Sequence, residues 1–174
     1  MEQVERQIQE HKPKVVVVAQ IWGYYAQDLK HSYRRQDIDE LLGEGGFVRV
    51  LNDWRILAVE NPDIRFYFIL DAPWEDYLYS WTSHVNRVVE GDVQKLMTLY
   101  VDLPMDDRWL VGNQMVREHL SRVAEIIDPV EDICPGAKCN LLNYRDDDHL
   151  RQDYVRDHGV WLDPIFEYIK SVKD

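Results

Sequence analysis

The sequence predicts an α/β fold: a three-layer, doubly wound parallel sheet with helices on both faces, in one domain of residues 1–174. Residues 14–20 (KVVVVAQ) form a continuous β-branched apolar run, which is typical of a strand buried on both faces of a parallel sheet. Two further strand-like runs follow at residues 64–71 and 125–128, with helix-like segments between the three runs. This alternation favours parallel strands, whose carboxyl ends form the edge at which such folds bind ligands.

The helical segments are predicted from helix formers and apolar spacing, and they cover residues 2–12, 37–60, 84–100, 107–124 and 151–172. The glycines of GEGG (43–46) are expected to break the second segment, and Pro164 to kink or split the last one. Residues 21–36 are predicted to be a loop, and residues 139–144 a short strand or a loop.

Charge and hydropathy exclude some classes of function. The net charge of −12 repels phosphate backbones, which argues against a nucleic-acid partner. The longest apolar run, residues 15–19, is too short to span a membrane, and the charged residues 1–12 do not resemble a signal peptide. Taken alone, the chain is therefore expected in the cytoplasm.

The two cysteines, Cys134 and Cys139, lie five residues apart across a Pro-Gly turn in DICPGAKC. This spacing allows a small disulfide loop in an oxidising compartment, and it equally allows two free thiols. A metal site is disfavoured because the chain has no CxxC pair and no second cysteine cluster. We expect no metal and no cofactor.

Three acids precede one histidine in NYRDDDHL (143–150), which follows the third predicted strand along the chain. The motif is open to three interpretations: a solvated acidic turn, a metal loop with Asp153 and His158 as further ligands, or two members of a catalytic triad. An acid three residues before a histidine can fold back in one tight turn and fix the tautomer of the ring.

The block IIDPVEDICPGAKCNLLNYRDDDHL, followed by an amphipathic helix, resembles the C-terminal part of the SGNH hydrolase superfamily, whose fold is flavodoxin-like. The resemblance is closest to SGNH domains fused to membrane acyltransferases that O-acetylate bacterial surface polysaccharides, which have a strand similar to KPKVVVVA (12–19). It implies that His149 is the general base and Asp146 the acid that orients it. It also implies a disulfide between Cys134 and Cys139, and a periplasmic or cell-surface location for the family's full-length protein.

The chain departs from this family at the nucleophile. It contains no Gly-Asp-Ser, and among its serines Ser83 stands beside His84 without a strand to deliver it; the serines are Ser32, Ser80, Ser83, Ser121 and Ser171. Where the family has Gly-x-Asn-Asp, this chain has Gln20-Ile-Trp-Gly23. The candidates for lining a substrate site are Gln20, Trp22, Gly23 and Trp74.

The family's first strand, first helix and second strand have no counterpart here, so the chain resembles the C-terminal two-thirds of an SGNH domain. Two functions follow as expectations. In one, the chain is an incomplete carbohydrate O-acyltransferase or esterase domain, inactive alone, whose serine comes from an N-terminal segment or a membrane acyltransferase domain on another chain. In the alternative, it is a non-catalytic derivative that binds a carbohydrate or a partner protein through aromatic segments 22–25 and 74–81.

In the family, the strand that resembles residues 14–20 lies beside the first strand, which has no counterpart in this chain. A run of four valines at an open sheet edge recruits other strands, because its backbone groups are unpaired. The sequence therefore predicts a homo-oligomer or larger assembly that pairs through residues 14–20.

Overall fold

The structure is a computed structural model that describes residues 1–23, 44–74, 100–102, 108–145 and 149–172. Several expectations lie outside these ranges: the loop from residue 24 onward, the start of the helix predicted from residue 37, the body of the helix predicted at 84–100, Ser83, and Asp146.

A three-stranded parallel sheet forms the centre of the described chain, which confirms the α/β class and the three predicted strands. Strand β1 (Val15–Ala19) pairs with β2 (Arg65–Ile69) from Val15↔Arg65 to Ala19↔Ile69. On its other side, β2 pairs with β4 (Glu125–Ile127), so the sheet order follows the chain order. A separate antiparallel pair joins β3 (Tyr100–Asp102) to β5 (Lys138–Asn140).

Six α-helices accompany these strands within the described ranges. They are α1 (Glu2–His11), α2 (Glu44–Glu60), α3 (Arg108–Leu120), α4 (Val130–Ile133), α5 (Gln152–His158) and α6 (Asp163–Ser171). Short 3₁₀ turns lie at Pro135–Ala137, Leu141–Asn143 and Val160–Leu162. Helix α1 ends at His11, and the next residue, Lys12, adopts φ 44° immediately before Pro13.

Side chains alternate between two cores because successive residues of a strand point to opposite faces of the sheet. Phe66 and Phe68 of β2 join one cluster with α2 and α3, whereas Tyr67 joins another with Cys134, Cys139 and α6. In β1, Val16 and Val18 pack on the first cluster and Val15 on the second. Elements therefore pack against both faces of the sheet.

Helix α2 is described from Glu44 onward, and the residues before it lie outside the described ranges, so the predicted break at 43–46 stays a prediction. Two other details differ from the sequence prediction. Tyr100 begins a strand rather than ending a helix, because residues 100–102 pair with β5. The last helix is split at Gly159 rather than at Pro164, because proline is accommodated in the first turn of α6, where no backbone N–H is needed.

None of the helices in the described parts of the chain is long and apolar enough to cross a bilayer.

Candidate functional site

The carboxyl ends of β1 and β2 are joined by a buried aspartate. Asp71, which is 5% exposed, follows β2 and accepts hydrogen bonds from the backbone amides of Trp22 at 2.8 Å and Gly23 at 2.7 Å. Each carboxylate oxygen accepts a hydrogen bond from one amide, so the turn after β1 is held directly against the end of β2. Charge-assisted bonds of this kind are roughly twice as strong as neutral ones.

Asn113 of α3 extends this network. Its side-chain oxygen accepts from the Asp71 amide at 2.8 Å, and its side-chain nitrogen donates to the Asp71 carbonyl at 3.0 Å. One turn of α3 passes so close to the Trp22–Gly23 backbone that a Cβ on Gly112 would lie 2.5 Å from the Gly23 nitrogen. Glycine is required at residue 112 because only hydrogen fits in that gap.

Trp22 and Trp74 both lie in the interior. The Trp22 ring packs at 6.2 Å from Phe47 and 6.0 Å from Phe68, and its indole N–H donates to the Ile69 carbonyl at 2.7 Å. Trp74 is 1% exposed, and the Arg108 guanidinium stacks 4.5 Å from its ring centroid. Neither ring is an open aromatic platform, and the role of these residues, with Gln20 and Gly23, as a substrate-lining set stays a prediction.

The two described ends of the NYRDDDHL segment, residues 143–145 and 149–150, pair with each other as the base of a hairpin. Tyr144 and Leu150 make an antiparallel bridge, the Arg145 amide donates to the His149 carbonyl at 2.8 Å, and the Arg151 amide donates to the Asn143 carbonyl at 2.8 Å. His149, in the second of these paired ends, is exposed. Because Asp146 lies outside the described residues, its bond to His149 stays a prediction.

A buried disulfide supports the base of the hairpin. Cys134 and Cys139 are bonded, and both are fully buried in the second core. Tyr144, where the hairpin begins, is 4% exposed and places its hydroxyl 3.9 Å from the Cys134 sulfur. Burial raises the pKa of the Tyr144 phenol well above its usual range.

The residues proposed for the metal alternative have other contacts. Asp153 receives two hydrogen bonds from the Arg151 guanidinium, at 3.1 and 2.8 Å, which lower the pKa of its carboxyl. His158 lies against the Tyr154 ring, 5.1 Å between centroids. Within residues 1–23, 44–74, 100–102, 108–145 and 149–172, no group of three His, Cys, Asp or Glu side chains could hold a metal.

Asp128, at the end of β4, has a structural role. One carboxylate oxygen accepts from the Val130 amide at the start of α4 at 3.0 Å, and the other pairs with Arg117 of α3. The side chains of Asp128 and Arg117 are both partly exposed.

The comparisons give no relative: no protein-family model, characterised protein or solved structure matches this chain. Sequence reasoning missed the bonds of Asp71 and the part played by Asn113. One signal for Asp71 was present, because an aspartate that ends an apolar strand has nearby backbone amides to bind.

Proposed function

We propose that this chain is an SGNH-type carbohydrate O-acyltransferase or esterase domain, with a three-layer doubly wound sheet, that moves an acetyl group to or from a cell-surface sugar. The observation that carries the proposal is the antiparallel pairing of Tyr144 with Leu150, which leaves His149 exposed and follows the three parallel strands in the chain. The family motif Asp-x-x-His falls between these two residues.

Each residue has a defined role in this reaction. His149 takes the proton from a serine hydroxyl as that oxygen attacks the acetyl carbonyl, and returns it to the leaving group. Asp146 accepts from the far ring nitrogen and so fixes the tautomer that can act as base. The serine belongs to another segment or chain, because these 174 residues contain no Gly-Asp-Ser. The buried disulfide supports maturation in an oxidising compartment such as the periplasm.

The test uses the chain tagged in its own cells and recovered with whatever polypeptides accompany it. We expect that assembly to hydrolyse an activated acetyl ester and to react with a fluorophosphonate at a serine in a Gly-Asp-Ser peptide. The variants His149→Ala and Asp146→Asn should each lower the rate by roughly 10³-fold or more. His158→Ala is the matched control, because His158 is an exposed histidine outside the hairpin, and it should retain the rate.

The isolated 174-residue chain should hydrolyse the same ester no faster than its own His149→Ala variant. Turnover above that background would reveal an overlooked nucleophile, with Ser83 the first to be replaced. An assembly with neither turnover nor serine labelling would reject the catalytic function.

One observation favours the alternative, a non-catalytic module that binds a carbohydrate or a partner protein. The amides of Trp22 and Gly23, where the family has its Gly-x-Asn-Asp block, both donate to Asp71. Amides engaged by a carboxylate do not also stabilise an oxyanion. For this alternative, calorimetry should detect binding of acetylated polysaccharide, with the same affinity in His149→Ala, and no turnover.

A further inference from the structure

Strand β1 forms one end of the described sheet, and the protective residues beside it, Lys12, Pro13 and Lys14, lie only before its start. Among the described residues, it pairs with β2 alone. Its five residues, VVVVA, contain no charge and no proline. The strand at the other end, β4, is only three residues long and contains Glu125, and both features protect an edge.

The register shows which backbone groups of β1 face outward. Because the Arg65 amide donates to the Lys14 carbonyl, the parallel ladder directs the polar groups of Val16 and Val18 toward β2. The N–H and C=O groups of Val15, Val17 and Ala19 then point away from β2. The side chain of Val17 is 44% exposed and Ala19 is also exposed, so apolar surface accompanies these backbone groups.

The geometry points to a second copy of this chain as the occupant of this edge, with β1 antiparallel to the β1 of its partner about a two-fold axis at Val17. This pairing sets Val17 opposite Val17 and Val15 opposite Ala19, and forms about six backbone hydrogen bonds. It joins the two three-stranded sheets into one continuous sheet. This inference does not depend on the proposed catalytic function.

Charge selects this arrangement. In the sequence, Lys12 and Lys14 precede the strand, and Gln20 follows it. The antiparallel register places Lys14 opposite the partner's Gln20 and separates the two lysine pairs, whereas a parallel register would bring like charges together. No charged side chain falls within the five paired residues.

The register is tested by cysteine cross-linking of the full chain under mild oxidation. Val17→Cys should form a dimeric disulfide, because opposed residues of a hydrogen-bonded pair lie about 5.5 Å apart at Cα. Val15→Cys should not, because its two copies lie four residues apart along the pair, about 14 Å. Mixing Val15→Cys with Ala19→Cys should restore the cross-link. Cross-linking of Val15→Cys alone, or none with Val17→Cys, would overturn the proposal.

The assembly is tested by sedimentation and hydrogen exchange on the unmodified chain. We expect a monomer–dimer equilibrium of the 20.8 kDa chain, with a dissociation constant raised at least about tenfold by Val17→Lys and little changed by Val17→Thr. Val59→Lys, at a valine that is 58% exposed on α2, is the control for added charge elsewhere. The amides of Val15, Val17 and Ala19 should exchange faster on dilution, whereas those of Val16 and Val18 should stay protected. A monomer in which all five amides stay protected would show that the chain fills this edge itself, and the proposal would fail.

Discussion

At the scale of single residues, Asp71 is the most connected polar side chain at the carboxyl edge of the sheet. Its carboxylate satisfies two backbone amides of the β1 turn, while its own backbone is paired with Asn113. Removing one acceptor in a buried network leaves donors unsatisfied, at a cost of about 1–3 kcal/mol each. Replacing Asp71 should therefore destabilise the fold more than replacing a side chain that makes one hydrogen bond.

Replacing Asp71 with Asn should lower the free energy of unfolding by about 3 kcal/mol, because the amide keeps one acceptor oxygen and aims a donor at a second donor. Chemical denaturation measures this difference. Asp63→Asn, an exposed aspartate at the opposite end of the sheet, should change stability by less than about 0.5 kcal/mol. Equal effects of the two substitutions would contradict the role given to Asp71.

Tyr144 should make stability depend on alkaline pH. Its folded-state pKa lies above the unfolded value of about 10, so the folded protein holds the phenolic proton more tightly. The contribution of this difference in pKa to the free energy of unfolding is complete below pH 10. It is lost as the pH rises from there through the folded-state pKa, and the free energy of unfolding then falls by at most about 1.4 kcal/mol per pH unit.

Tyr144→Phe should have nearly wild-type stability at pH 7, since the partner of the hydroxyl is a sulfur at 3.9 Å. Above pH 10 it should become more stable than the wild type. Denaturant midpoints at pH 7, 10 and 11 give the comparison, and a difference that does not change with pH would refute the assignment.

At the scale of secondary structure, α3 is fixed against the β1 turn by a backbone-to-backbone approach. Gly112→Ala would place its Cβ 2.5 Å from the Gly23 nitrogen and 2.6 Å from the Trp22 carbonyl carbon, so the helix or the turn must move. We expect a loss of about 2–3 kcal/mol. Gln114→Ala, two residues along α3 and exposed, is the control and should stay within about 0.5 kcal/mol of wild type. Thermal unfolding of both variants measures this, and a tolerated alanine at 112 would contradict the close contact.

The main strands were predictable because their signal is local. An apolar β-branched run such as residues 14–20 has few other stable environments, and β1 forms within that range. The pairing of β3 with β5 was not predictable from residues 100–102, since it depends on a segment nearly 40 residues away that a disulfide constrains. The split at Gly159 was missed because proline was given more weight than its position in a first helical turn justifies.

The candidate site was predictable only in part. The residues of the 143–150 motif are contiguous, so a local turn was predictable there, but the antiparallel pairing of Tyr144 with Leu150 was not predicted. The network of Asp71 joins residues from three separate segments, and no local pattern relates Asn113 to Trp22. Polar networks of this kind depend on tertiary packing, which periodicity does not encode.

At the scale of the whole molecule, net charge opposes compactness. The chain carries a net charge of −12, and the described ion pairs, such as Arg65–Glu125 and Arg117–Asp128, are at the surface and partly exposed. Pairs of this kind each contribute at most about 1 kcal/mol. Repulsion among the excess acids is spread over the surface, and dissolved salt screens it.

The melting temperature should therefore rise by a few degrees when the salt concentration increases from about 10 mM to about 200 mM at constant protein concentration. Differential scanning calorimetry with sodium chloride tests this. A fall in melting temperature would mean that the surface ion pairs outweigh the repulsion.

The parallel sheet also constrains how the chain is made. Val15 pairs with Arg65, about 50 residues further along the chain, and Tyr67 pairs with Glu125, which is separated from it by a similar distance in sequence. At about 5–20 residues per second, a translating ribosome leaves the valine run without its neighbouring strand for roughly 3–10 s. During that interval the nascent chain exposes an aggregation-prone segment, which a bound chaperone can cover. Synthesis of this protein should therefore depend more on chaperones than synthesis of a domain that is built from local hairpins.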